Sequence, residues 1–119
     1  MADFTLLHGA FHGGWCWAAV ADILRARGHR VTTPTQTGLG ERRHLMSADI
    51  TLMTFAQDLI EHLRAEDKSD TILVGHSFAG GPISKAAEVA RDRIARLVYL
   101  DAVVPQGDET PFDAFGPDV

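Results

Sequence analysis

Residues 71–81 read Thr71-Ile72-Leu73-Val74-Gly75-His76-Ser77-Phe78-Ala79-Gly80-Gly81, and this stretch decides the fold. Four β-favouring residues run into a glycine, a serine stands two places on, and small residues lead into a run with helical spacing. Ala79, Ile83, Ala86, Ala87 and Ala90 fall on one face of that helix and are its expected core side. Pro82 is tolerated because the N–H groups of a first helical turn have no helical acceptor to lose. The segment is therefore a strand, a sharp turn with Ser77 at its apex, and a helix. A serine held out on such a turn sits on strained backbone, and its neighbours must be small for strand and helix to approach. Gly75, Ala79, Gly80 and Gly81 meet that need, with Ala79 where the G-x-S-x-G nucleophile elbow has its second glycine. Ser77 is the expected nucleophile, and the N–H of Phe78, at the opening of the helix, is an expected donor to an oxyanion.

Working outward, Phe4-Thr5-Leu6-Leu7-His8, Arg30-Val31-Thr32-Thr33 and Leu97-Val98-Tyr99-Leu100 read as three further strands. Trp17, Val20, Ala21 and Leu24 repeat at helical spacing, and Gly28 stands where a helix end favours positive φ. Leu52, Phe55, Ala56, Leu59, Ile60 and Leu63 mark a second amphipathic helix capped by Asp49 or Thr51, with Gln57, Asp58 and Glu61 on its solvated face. Strands alternating with helices imply parallel strands joined by right-handed crossovers, so the fold class is α/β. From Val104 onward Pro, Gly, Asp and Phe occur without periodicity, as in a loop.

Composition narrows the function. The chain has 119 residues, is 45% hydrophobic and carries a formal charge of −5, values of a globular domain without the basic stripe that grips nucleic acid. Cys16 is the one cysteine, which excludes an internal disulfide and fits a reducing, cytoplasmic setting. The first residues carry no signal-peptide pattern, and no apolar run reaches the roughly 18 residues needed to cross a bilayer. Neither nucleic acid nor membrane is an expected partner. Gly9, Gly13 and Gly14 are misspaced for a dinucleotide loop, and no G-x-x-x-x-G-K-[ST] occurs, so phosphate cradles are disfavoured.

His8-Gly9-Ala10 and His12-Gly13-Gly14-Trp15-Cys16-Trp17 after the first strand, Gly28-His29-Arg30-Val31, and Gly75-His76-Ser77 together resemble the α/β-hydrolases of the salicylate methylesterase and hydroxynitrile lyase group. The resemblance spans nearly the whole chain. It implies the N-terminal half of an α/β-hydrolase domain over residues 1–119, with 102–119 entering the lid and the remaining strands lying in continuing sequence or a second chain. It further implies a Ser-His-Asp ester hydrolase acting on small, largely apolar esters with no metal or organic cofactor, and a possible homodimer. Ala10 becomes the second oxyanion donor, and Phe11 and His12 pocket residues. In this group the lyases carry Thr where this chain has Gly9, so Gly9 favours ester hydrolysis over cyanohydrin cleavage. A lyase, or a receptor binding a small molecule on the same scaffold, is the alternative.

The triad base of the family follows the last strand, beyond residue 119. His8, His12, His29, His44, His62 and His76 all precede Ser77, and none occupies that place. His8 and His76 are expected to shape the two turns; His29, His44 and His62 are expected at the surface. Trp15 and Trp17 are expected to anchor their loop to the core, and Cys16 to act as a small hydrophobe. Asp101, ending the fourth strand, is a candidate triad acid, its alternative being a carboxylate that bonds loop backbone. Ser84 lies within a helix and is no rival nucleophile. Arg42 and Arg43 read as members of a solvated loop.

Overall fold

The computed structural model describes residues 1–104. Four parallel strands, β1 (Asp3–Leu7), β2 (Arg30–Thr32), β3 (Thr71–His76) and β4 (Ile94–Leu100), form one sheet in the order β2-β1-β3-β4. Three helices connect them: α1 (Ala18–Ala26), α2 (Leu52–Ala65) and α3 (Gly80–Val89). The α/β architecture and every expected strand and helix are present. The loop expected from Val104 onward, apart from Val104 itself, and most of the lid entry expected over 102–119 lie outside the described residues.

Strand alternation sends side chains to two faces, and each face has its own core. Leu6, Val31 and Val74 pack with Trp17 and Ala21 under α1. Leu7 and Leu73 pack with Leu59, Ile60 and Leu63 of α2 and with Ala79, Ile83, Ala86 and Ala90 around α3. Leu59 and Leu63 are fully buried, each a contribution of about 1.5–3 kcal/mol. The α2 start is fixed by Thr51, whose N–H donates to Thr54 Oγ1 at 3.0 Å, and Gly28 closes α1 with φ +88. At the N-terminal edge the fully buried Lys68 ammonium pairs with Asp3, tying the start of β1 to the entry of β3.

Four expectations about faces are corrected. Val20 is 42% exposed, because Trp17, Ala21 and Leu24 already face the sheet and Val20 sits at the edge of their stripe. Ala87 is half-buried rather than core. Trp15 is 61% exposed and only Trp17 anchors the loop. Asp58 is not simply solvated: its carboxylate accepts both the Thr37 N–H and the Thr37 hydroxyl, each at 2.6 Å, holding the loop after β2 against α2.

Candidate active site

The chain leaves β1 for β2 on one side and returns to β3 on the other. At such a switch the loops after the two central strands diverge, and a crevice opens at their carboxyl ends. Leu7 pairs with Gly75 in register, so the His8-Gly9-Ala10 loop and the Ser77 turn start side by side.

Ser77 has φ +56, the left-handed region that costs an ordinary residue roughly 1–3 kcal/mol. Two glycines make the turn possible. A Cβ on Gly75 would lie 2.8 Å from Ile83 Cδ1 and 3.1 Å from the Ala79 carbonyl, and one on Gly80 would lie 1.7 Å from the Val103 carbonyl. The strand after Ser77's own is thus part of the turn: beyond β4 the backbone bends at Asp101 (φ +47), and the Val103 N–H donates to the Ser77 carbonyl at 3.1 Å. Ala79, in place of the family glycine, fits because its methyl is buried in the α3 core. Phe78 meets Phe55 of α2 edge-on, ring centroids 5.4 Å apart.

The facing loop is held as tightly. A Cβ on Gly9 would stand 3.2 Å from both Ser77 Cβ and the His76 carbonyl, so backbone lies directly against Ser77. His8 is fully buried. The Gln36 N–H donates to His8 Nε2 at 3.0 Å, so the ring proton sits on Nδ1, which donates to the Gly9 carbonyl at 2.7 Å. Burial pushes the His8 pKa below its ordinary value and keeps the ring neutral. The Gln36 amide returns a bond to the His8 carbonyl at 2.8 Å. Farther along, the Gly14 N–H donates to Thr35 Oγ1 at 2.8 Å, and that hydroxyl donates to Glu41 at 2.7 Å, which lowers the Glu41 pKa.

Ala10 is half-buried, whereas Phe11 is 93% exposed at φ +67 and His12 is exposed beside Trp15. His12, Cys16, Trp17, Val20, His76 and Leu100 line a cleft of about 270 Å³ next to the elbow. Cys16 is exposed there, not packed as a small hydrophobe, and desolvation raises its thiol pKa away from reactivity. Leu100 pairs with His76 in register, and Ser77 and the exposed Asp101 are the residues that follow them, each with positive φ.

The other histidines have other tasks. His29 Nδ1 accepts the Ala2 N–H at 2.9 Å, and His44 is exposed. His62, expected at the surface, is half-buried against Thr32 Oγ1 at 2.9 Å, and burial lowers its pKa. Among the described residues no hydrogen bond joins a histidine to the Ser77 hydroxyl, and no group of three His, Cys, Asp or Glu side chains could hold a metal. No described helix is long and apolar enough to cross a membrane. Gln36, Thr35, Glu41 and Asp58 were not legible as site supports: they stand in a polar loop and on a helix face, and only the fold brings them to their partners.

A strained serine between a parallel strand and a helix, faced by a glycine loop at the sheet's switch point, defines the chain's class. It belongs to the alpha/beta hydrolase family, whose model matches residues 6–119. Among curated relatives it is 50% identical over 106 residues to a carbendazim hydrolyzing esterase of Nocardioides sp. (strain SG-4G), covering 89% of this chain and 44% of that protein. It is 35% identical to an alpha-hydroxynitrile lyase of Arabidopsis thaliana, over 91% of this chain and 42% of that one. A solved extracellular alpha/beta-hydrolase from a Paenibacillus species, described as sharing structural and functional homology with tobacco salicylic acid binding protein 2, superposes with TM-score 0.82 at 32% identity, covering 89% of this chain and 43% of that chain. The chain thus spans less than half the length of these relatives.

Proposed function

We propose that this chain supplies the nucleophile and oxyanion half of a serine hydrolase that cleaves small, largely apolar carboxylic esters. The observation that carries the reading is the close approach of Gly9, the residue before Ala10, to a left-handed Ser77. Ser77 Oγ attacks the ester carbonyl carbon and gives its proton to a histidine supplied from outside residues 1–119, in continuing sequence or a second chain. The N–H groups of Ala10 and Phe78 hold the tetrahedral oxyanion, the alcohol leaves with the proton, and water then releases the acid from the acyl-enzyme. Asp101, which follows the strand pair of His76 and Leu100, is the carboxylate this chain offers to orient that histidine. Trp17, Val20 and Leu100 line the adjoining cleft, which suits an apolar acyl or alcohol group. The relative named as a carbendazim hydrolyzing esterase supports the ester class. The single cysteine suits a cytoplasmic enzyme.

Intact-mass spectrometry of the natural protein with a fluorophosphonate probe tests this. One adduct, mapped to Ser77 and absent from Ser77→Ala, is the expected result. An unlabelled serine in folded protein sinks the reading. The relative that is a hydroxynitrile lyase keeps one rival in view; Gly9, at the position the resemblance gives to Thr in lyases, speaks for hydrolysis, and cyanide release from a cyanohydrin would reverse that assignment.

A further inference from the structure

We propose that His8 is a positioning residue for the oxyanion hole, gripping the Gly9 carbonyl so that the opposite end of the same peptide, the Ala10 N–H, is turned toward the reacting oxygen. The inference rests on the serine-hydrolase reading and assigns a role within it. In a trans peptide the carbonyl and the following N–H point in opposite directions, so whatever holds the Gly9 carbonyl fixes the direction of the Ala10 N–H. Glycine leaves that peptide free to rotate, and a side chain on Gly9 would begin 3.2 Å from both Ser77 Cβ and the His76 carbonyl, close enough that a neighbour would have to shift. The freedom that lets the loop approach Ser77 therefore has to be removed by another group.

His8 Nδ1 is that group, 2.7 Å from the Gly9 carbonyl. The imidazole is itself locked. Gln36 donates its N–H to His8 Nε2 at 3.0 Å and its side-chain amide to the His8 carbonyl at 2.8 Å. The first bond selects the tautomer that places the proton on Nδ1, and full burial of both residues keeps water from competing. A neutral ring serves, since the donor is the Nδ1 proton and Nε2 must stay an acceptor; the lowered pKa agrees with this geometry. Preorganised donors act because they need no rotation as charge develops, and losing one oxyanion donor costs about 10²–10³ in kcat.

The test separates the two ring nitrogens in the intact natural protein. His8→Asn places an amide N–H where Nδ1 stands; His8→Gln reaches only the Nε2 position and leaves the Gly9 carbonyl unheld. With a p-nitrophenyl ester, kcat of His8→Asn is expected within about threefold of the unaltered protein, and kcat of His8→Gln lower by about tenfold to a hundredfold with little change in KM. Thermal melts of both variants report folding separately. If the two variants fall together, or His8→Gln keeps its kcat while folded, His8 does not orient the peptide and the inference is overturned. If the unaltered protein itself shows neither turnover nor an acyl burst, the esterase reading fails and takes this inference with it.

Discussion

At the scale of single residues, the site is an arrangement of missing side chains as much as present ones. Gly9 has no Cβ where Ser77 Cβ and the His76 carbonyl would each lie 3.2 Å away, a distance at which one neighbour must give by a few tenths of an ångström. Neither can give without consequence, because Ser77 already occupies strained backbone and His76 is the residue that leads into it. On the proposed function, Gly9→Ala is therefore expected to push the loop from Ser77 and lower kcat/KM for an ester by about tenfold or more, an angstrom-scale misplacement being worth up to about a hundredfold. Burst kinetics with a chromogenic ester measure it, and unchanged acylation would show that the loop can slide at no cost. Ser77 itself was readable from sequence because its turn demands small neighbours. His8 was readable only as a shaper of the turn after β1. Its acceptor is the neighbouring Gly9, but its lock, Gln36, is a contact spanning 28 residues that no local pattern announces.

Among elements, the join between β3 and α3 is where geometry is tightest. The elbow is closed from outside by the segment after β4, which crosses Gly80 with its backbone and bonds the Ser77 carbonyl through the Val103 N–H. A methyl at residue 80 would start 1.7 Å from the Val103 carbonyl, so Gly80→Ala must move either the helix start or that segment. Overpacking of this kind costs about 1–3 kcal/mol, which a urea melt would record as a lower midpoint, and fluorophosphonate labelling of Ser77 should slow in parallel. Equal midpoints would mean that the crossing segment yields freely. The elements themselves were legible because strands and helices announce their periods: β1, β2 and β3 start and stop within two residues of their apolar runs. The β4 start was not, since Ala95 and Arg96 are exposed and break the pattern although their backbone is paired from Ile94. The short 3-10 turns, such as Gly40–Leu45, carry no period to read. Asp58 was misread for a related reason: helix phase put it outward, and the loop that covers it arrives from β2.

For the molecule as a whole, the polar groups sealed inside set how it responds to acid. His8 and His62 sit on different elements, yet burial lowers the pKa of both from 6.5, assisted at His62 by the Lys68 ammonium and opposed by Glu66 and Asp3. In the unfolded chain both rings take up protons near their ordinary pKa, while the folded molecule keeps them neutral to lower pH. The unfolded state thus binds more protons in the window below about 6.5, and stability falls as pH falls through it. Above that window both states are neutral at these rings and this dependence vanishes. Glu41 extends the trend to more acidic pH, because the Thr35 hydroxyl favours its carboxylate in the fold and that advantage is lost on protonation. Urea midpoints should therefore be level between pH 8 and 7 and decline toward pH 5. His62→Gln, which removes one titrating ring and can still reach the Thr32 hydroxyl, should show a shallower decline than the unaltered protein. A decline of equal slope would mean that His62 is as freely hydrated folded as unfolded. Because His8 holds the Gly9 carbonyl, protonating it also frees Nε2 of its acceptor role and opposes the Gln36 N–H. Acid should then loosen the loop after β1 before it unfolds the sheet, and hydrogen exchange at residues 9–14 should quicken at a higher pH than exchange in β1 and β3.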